Sequence, residues 1–116
     1  MESRQFRQGD VLLIVVERVP QYANLVAREN GQIVLAHGEA TGHAHALREP
    51  GCELYHLRGE RYLTVTEENC VLRHEEHNPI ALPVGVYRVV RQREYVPPQA
   101  RAEQAITPGR VQYVLD

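Results

Sequence analysis

Residues 52–74 have the sequence CELYHLRGERYLTVTEENCVLRH, and this stretch decides the fold. Cys52–Leu57, Arg61–Thr66 and Cys70–His74 each carry the alternating apolar, β-branched and aromatic residues that are typical of strands. Gly59-Glu60 and Glu67-Glu68-Asn69 lie between them and have turn composition. The stretch therefore predicts three consecutive strands joined by tight turns.

The same pattern continues in both directions along the chain. Further strands are predicted at Val11–Val16, Gln32–Ala36, Thr41–Leu47 and Val86–Val96, the first of them apolar enough to be buried on both faces. Turn signals such as Asn30-Gly31 recur every ~8–12 residues, as they do in sandwiches and small barrels. The predicted fold class is all-β, a small β-barrel or β-sandwich.

The chain of 116 residues has the length of one domain. We expect residues 1–96 to form the β-barrel domain and residues 97–116 to form an extended C-terminal arm. Val111, Tyr113 and Leu115 alternate in that arm as a last strand. Because a terminal strand can pair with a second chain, a homodimer through this strand is expected as an alternative to pairing within the chain.

The composition excludes several kinds of active site. All 13 basic residues are arginine, so a P-loop lysine and a Schiff-base lysine are excluded. Aspartate occurs only as Asp10 and Asp116, which excludes an EF-hand and metal sites built from several aspartates. The only serine is Ser3, near the N-terminus, so a serine triad is set aside. Histidine, glutamate, arginine, tyrosine and two cysteines remain for chemistry.

Charge and hydropathy predict a cytoplasmic protein without a membrane partner. The longest apolar run has six residues, and the N-terminus lacks the apolar segment of a signal peptide. Cys52 and Cys70 are then expected to be free thiols. A net charge of −2 also argues against an extended nucleic-acid-binding surface, although a small nucleotide substrate stays open.

The six histidines are the strongest chemical signal. His43 and His45 are two residues apart, so on a strand both side chains lie on the same face, where they could share one divalent ion. The segment His74-Glu-Glu-His77 follows about thirty residues later, and His74 or His77 could supply a third nitrogen ligand. Glu49 or Glu39 could add an oxygen ligand. Three protein ligands with one open position are typical of a catalytic metal site.

Other residues near these histidines have candidate catalytic roles. Glu75 or Glu76 could act as a general base beside a metal-bound water, and Glu76 is the residue that we assign to that role together with His74 and His77. Arg48 lies three residues after His45 and could orient an anionic substrate. Alternatively, Arg48 forms a surface ion pair with Glu49 or Glu53.

The Val86–Val96 strand carries several more charges, and it has two interpretations. Arg88, Arg91, Arg93 and Glu94 could form a phosphate- or carboxylate-binding surface with the neighbouring tyrosines. The favoured interpretation is an exposed edge strand that its charges protect from pairing with other chains.

The first histidine segment resembles the first metal-binding motif of the cupin family. Gly38, His43, His45 and Glu49 stand at or near the positions of that motif, and the resemblance covers about a dozen residues. It implies a cupin-like β-barrel with an interior metal ion, often iron, manganese, nickel or zinc, held by these residues.

Three functions follow as hypotheses. The first is a small metal-dependent enzyme with hydrolytic or oxygen-dependent chemistry on a small substrate, with His43, His45, His74 and Glu49 as metal ligands. The second is a metal-free ribonuclease or phosphodiesterase in which two histidines act as base and acid. The third is a non-catalytic β-module that oligomerises through its terminal strand.

Overall fold

The computed structural model describes residues 4–38 and 42–92, and these residues form ten strands and no helix. The strands are β1 (Gln5–Gln8), β2 (Val11–Val16), β3 (Asn24–Leu25), β4 (Ile33–His37), β5 (Ala44–Leu47), β6 (Cys52–Leu57), β7 (Glu60–Val65), β8 (Cys70–His74), β9 (His77–Leu82) and β10 (Gly85–Arg91). The predicted arm at 97–116, with its last strand, lies outside the described residues. None of the residues described forms a helix long and apolar enough to cross a membrane.

The strands form two antiparallel sheets. One has six strands in the order β1-β2-β10-β7-β6-β3, and the other has four in the order β4-β5-β8-β9. The prediction of an all-β fold is confirmed. Neither sheet closes on itself through the described strands.

The stretch at 52–74 folds into three consecutive strands as its sequence predicts, with the first turn and β7 one residue earlier than expected. Strands β6 and β7 form a hairpin from Cys52↔Val65 to Leu57↔Glu60, and β8 follows. Arg58 and Gly59, between the two strands, both have positive φ, 51° and 83°. Positive φ at both central residues is the geometry of the tight turns whose twist matches that of a hairpin, and glycine adopts it without strain.

Strand β10 differs from its prediction as an edge strand. It pairs with β2 on one side and with β7 on the other, so it lies in the middle of the six-stranded sheet. The central position of β10 follows from its pairing with two strands that are distant in sequence. The local composition of β10 therefore does not predict it. Arg93 and Glu94 lie outside the described residues.

Strand β2 is buried on both faces only in its first half. Val11, Leu12 and Leu13 are buried, whereas Val15 is 40% exposed. The prediction of burial along the whole strand was therefore wrong, because the six-stranded sheet leaves one face uncovered at the end of β2.

The core lies between the inner faces of the two sheets. It is formed by alternate residues of the strands, among them Leu13, Leu35, Leu47, Leu63 and Leu72, each no more than 1% exposed. Burying such side chains is the main favourable contribution to folding, at roughly 1.5–3 kcal/mol each.

Strand ends from both sheets meet at one corner of the molecule. Arg91 at the end of β10 pairs with Val11 at the start of β2, directly after Gly9-Asp10. His37 at the end of β4 pairs with Ala44 at the start of β5. Across the junction, the Gln8 side-chain amide donates hydrogen bonds to backbone carbonyls of β8 and β9. This corner carries the histidines.

Candidate metal centre

Four histidine rings converge at the corner. The ring centroids of His45 and His74 are 4.2 Å apart, and those of His74 and His77 are 4.7 Å apart. The His43 ring lies 5.7 Å from that of His74, and the His45 ring lies 5.7 Å from that of His77. The His-x-His pair and the second histidine segment therefore meet, as the sequence suggested.

Strand pairing explains the convergence. His74 ends β8 and His77 begins β9, and the two residues pair across a turn of two glutamates. Strand β5 lies beside β8 through Ala46↔Arg73, which brings His45 next to the same turn. His77 was expected in the turn itself, but the structure places it in the first position of β9.

A buried hydrogen bond orients His45. Its side chain is 4% exposed, and its Nδ1 lies 2.9 Å from Oε1 of Gln8. The Gln8 amide nitrogen donates to the carbonyls of Leu72 and Asn78, both at 2.9 Å, so Oε1 is the end of the amide that faces the ring. Because Oε1 only accepts, His45 carries its proton on Nδ1, and the neutral ring has a free electron pair on Nε2.

That Nε2 atom faces a carboxylate. Asp10 Oδ1 lies 3.5 Å from His45 Nε2, while Arg91 Nε donates to the other oxygen, Oδ2, at 2.9 Å. Arg91 also donates from Nη2 to the backbone carbonyl of His37 at 2.9 Å. Partial burial would raise the Asp10 pKa, but the hydrogen bond and charge of Arg91 outweigh burial and lower it.

His45 is neutral at neutral pH. Burial is the largest cause that lowers its pKa from 6.5 to about 4, and the nearby His74 lowers it further. The Asp10 carboxylate acts in the opposite direction and is outweighed. The unprotonated Nε2 is thus available as a base or a metal ligand.

A second group of ligand atoms lies at the surface of the cluster. His43, His74 and Glu75 each offer an atom, and these atoms lie within 4.8 Å of one another. Among the described residues, no other group of three or more histidine, cysteine, aspartate or glutamate side chains meets that spacing. The Glu75 carboxylate accepts a hydrogen bond from the Ala44 amide at 3.0 Å, which lowers its pKa. We call His43, His74 and Glu75 the surface triad.

His74 carries the opposite tautomer to His45. Its Nδ1 accepts a hydrogen bond from the Glu76 backbone amide at 2.9 Å, so the neutral ring carries its proton on Nε2. At Nε2, His45 therefore offers a hydrogen-bond acceptor and the adjacent His74 offers a hydrogen-bond donor.

The surface triad borders an open pocket of about 360 Å³. Ala44 and Ala46 form part of its wall, and their small side chains leave the space open. Arg48 and Arg73 line the pocket, as do His74 and Glu75 of the triad. Cationic side chains and ligand atoms thus face the same space.

The remaining sequence-predicted residues have distinct positions. Glu76 Oε2 lies 3.6 Å from His43 Nδ1, beside the triad. Glu49 has other partners, because it accepts a hydrogen bond from the Val71 amide at 3.1 Å and lies 3.5 Å from Arg73. Glu39 lies outside the described residues.

Sequence reasoning did not select Gln8 or Asp10, nor the contact that Arg91 makes. Asp10 carried a weak signal, since it is one of only two aspartates and follows a glycine. Gly9 has φ +58°, and a Cβ placed there would lie 2.8 Å from His77 Nε2. This glycine permits both the turn and the close approach of the ring.

Comparison with known proteins assigns the chain to a family whose activity is unknown. The model of a domain of unknown function, DUF8820, matches residues 7–92, which is most of the chain and includes the whole histidine cluster. No curated protein and no solved structure matches the chain significantly.

Proposed function

The chain belongs to the DUF8820 family of domains of unknown function, and from its histidine cluster we propose that it is a small metal-dependent enzyme that acts on a small anionic substrate. One divalent ion would be held by the surface triad of His43, His74 and Glu75. The substrate would occupy the adjacent pocket, with Arg48 and Arg73 binding its negative charge.

The observation that carries this proposal is the position of the triad. Its ligand atoms lie within 4.8 Å of one another, and two of its three residues line the pocket. Two imidazoles and one carboxylate form a ligand set used by catalytic zinc, and imidazole also suits iron and nickel. Three protein ligands would leave a coordination position for water or substrate.

Metal binding requires one local change at His74. Its Nδ1 accepts the Glu76 amide, so coordination through Nε2 would move the ring proton to Nδ1 and break that hydrogen bond. Glu75 needs less change, because the Ala44 amide occupies only Oε1.

The pocket supports an anionic substrate. Arg48 forms no ion pair with any described carboxylate, whereas Arg73 faces Glu49 at 3.5 Å. A guanidinium that no described carboxylate engages is available within this part of the chain for bidentate contact with a phosphate or carboxylate group. Arg48 is therefore the main anion-binding residue of the proposal, and Arg73 is the second.

The reaction would use the groups around the triad. A bound divalent ion would act as a Lewis acid or activate water or dioxygen. Glu76, 3.6 Å from His43, would accept a proton beside the triad, and His77, whose ring lies 4.7 Å from that of His74, would be a further proton carrier.

We also propose the relation to cupins, and with it a barrel-like closure of the two sheets, as a hypothesis. It is supported by the burial of His45 where the two sheets meet. The other residues of the resemblance do not add support, since Glu49 is engaged by Val71 and Arg73.

A second candidate function is a metal-free phosphodiesterase or ribonuclease. The opposite tautomers of His45 and His74, in rings 4.2 Å apart, favour it. His45 Nε2 would act as the base, and His74 would act as the acid in its doubly protonated form, in which Nδ1 gives up the hydrogen bond from the Glu76 amide. An arginine would stabilise the transition state.

The test uses the full chain purified without a histidine tag. Elemental analysis follows reconstitution with zinc, manganese, iron(II) or nickel, and phosphomonoesters and cyclic nucleotides are screened with and without chelator. We expect metal-dependent turnover that the His43→Ala/Glu75→Gln variant loses. His56→Ala is the matched control, because His56 lies outside the cluster and contacts the Gly59 amide.

Two results would reject the metal-dependent enzyme. One is a folded chain that binds none of the four metals. The other is turnover that neither chelator nor the double variant diminishes. Chelator-insensitive cleavage of cyclic nucleotides, with a bell-shaped pH profile, would support the phosphodiesterase instead.

A further inference from the structure

We propose a second cation position, between Nε2 of His45 and Oδ1 of Asp10, that takes a divalent transition metal such as Zn²⁺. It lies on the buried side of the histidine cluster and shares no residue with the surface triad. The proposal does not depend on the enzyme function proposed above.

The separation of the two atoms is the first argument. They are 3.5 Å apart, which is longer than a good hydrogen bond between a nitrogen and a carboxylate oxygen. Two ligands on a tetrahedral zinc ion, with bonds of about 2.0–2.2 Å, are about 3.4 Å apart. The observed spacing therefore suits a shared metal ion better than a shared proton.

The second argument is that His45 is held as metal-binding histidines are held. Such histidines almost always donate the other ring N–H to an oxygen, which fixes the tautomer and the ring orientation. Here Nδ1 donates to Gln8 Oε1 at 2.9 Å, and backbone carbonyls from two strands fix Gln8. The Nε2 electron pair is thus aimed at Asp10 by buried contacts.

The Asp10 carboxylate is oriented in the same manner. Arg91 Nε donates a hydrogen bond to Oδ2 at 2.9 Å, and Arg91 Nη2 donates a second one to the His37 carbonyl. The Oδ1 atom is therefore available to a different partner. The Asp10 carbonyl accepts a hydrogen bond from the Gln92 amide, which anchors the backbone of this turn. Both ligands are therefore in place before any ion arrives, which lowers the entropic cost of binding.

His77 is the nearest additional ligand. A Cβ on Gly9 would lie 2.8 Å from His77 Nε2 and 3.2 Å from His45 Cε1, so both rings lie against the residue that precedes Asp10. His77 does not meet the 4.8 Å spacing with the other two residues, so its side chain has to rotate toward Asp10. His77 is exposed at the start of β9, which leaves room for that rotation, and water would complete the coordination.

The two ligands of this position differ in exposure. The His45 side chain is 4% exposed, whereas that of Asp10 is 35% exposed. An entering ion or a chelator would therefore reach the position from the Asp10 side.

The experiment is a zinc titration of the untagged full chain against a chromophoric chelator. We expect two equivalents in the wild type, one in Asp10→Asn and one in His43→Ala/Glu75→Gln, with His56→Ala unchanged. A wild type that binds one equivalent, lost in Asp10→Asn but kept in His43→Ala/Glu75→Gln, would reject the triad as a metal site and support the position at His45 and Asp10. A wild type that binds one equivalent, kept in Asp10→Asn, would overturn the position at His45 and Asp10.

A second measurement protects the test against an unstable variant. Histidine side-chain ¹⁵N spectra of the wild type report the tautomer of each ring with and without zinc. The expected result is a shift at His45 Nε2 on adding zinc, while Nδ1 stays protonated. An unshifted His45 Nε2 at saturating zinc would overturn the proposal.

Discussion

The Gln8 Oε1 atom lies 2.9 Å from His45 Nδ1, and this contact joins the two sheets at the histidine cluster. Gln8 belongs to β1 of the six-stranded sheet, and His45 belongs to β5 of the four-stranded sheet. Both side chains are buried and polar, so every hydrogen bond that they make replaces one with water. The contact therefore links stability to the orientation of the site.

Gln8→Ala should lower both stability and zinc affinity. The change leaves the carbonyls of Leu72 and Asn78 and the Nδ1–H of His45 without their partner, and we expect a loss of about 2–3 kcal/mol in the free energy of unfolding. Urea denaturation measures the loss, with exposed Gln21→Ala as the control. A loss no greater than that of the control would show that water replaces the amide.

Acid should destabilise the fold through His45 before it acts on Asp10. The His45 pKa is about 4 in the folded chain and 6.5 when unfolded, so between these values the unfolded state binds more protons. The stability contributed by the neutral His45 is fully present above pH 6.5 and is lost as the pH decreases toward 4, by about 3 kcal/mol at about 1.4 kcal/mol per unit. The stability from the lowered Asp10 pKa is fully present above the ordinary value of 3.8 and is lost only below it.

Denaturant unfolding of metal-free protein between pH 7 and pH 4 measures this effect. His45→Gln should flatten the profile over that range, whereas His56→Ala should keep the slope of the wild type. An equal slope in the His45→Gln variant would assign the acid sensitivity to other groups.

Local patterns predicted most of the strands and the histidines that meet. Alternation and turn residues define the hairpin at 52–65. The His-x-His spacing identifies β5 as a histidine-bearing strand, and the pairing of β5 with β8 brings His45 beside the His74–His77 hairpin. These features depend on neighbours in sequence or on adjacent strands, so composition and spacing report them.

The contacts that orient the site are not local. Arg91 and Asp10 are 81 residues apart in sequence, and Gln8 and His45 are 37 apart. Such contacts depend on the order of strands in the sheet, which also places β10 in the middle rather than at an edge. Glu49 shows a related limit, since β5 ends at Leu47 and strand alternation no longer determines the direction of its side chain.

Cys52 and Cys70 should be unreactive in the folded protein. They are free thiols with 1% and 0% exposure, and burial raises the Cys52 pKa to about 12, with a further contribution from neighbouring Cys70. Because the thiolate is the reactive species, Ellman's reagent should modify both only after unfolding. Modification within seconds without denaturant would contradict the buried positions.

Arg48→Gln should weaken the binding of inorganic phosphate at the pocket. Hydrogen bonds to a charged group contribute about 1.5–3 kcal/mol, so the dissociation constant should rise about tenfold or more. Amide chemical shifts in a phosphate titration measure the dissociation constant. Arg18→Gln is the control, because Arg18 is 79% exposed and, among the residues that the structure describes, forms an ion pair only with Glu17. Equal weakening in both variants would indicate a non-specific charge effect.

Gly9→Ala should disturb the histidine cluster more than Gly31→Ala, although both glycines have positive φ, +58° and +81°. A methyl group at Gly31 meets no atom within 4 Å, so that variant measures backbone strain alone, at about 1 kcal/mol. A methyl group at Gly9 would lie 2.8 Å from His77 Nε2, so it must also displace that ring. We expect a larger stability loss and altered His77 ring resonances in Gly9→Ala only. Equal losses with unchanged resonances would mean that the ring moves aside at no cost.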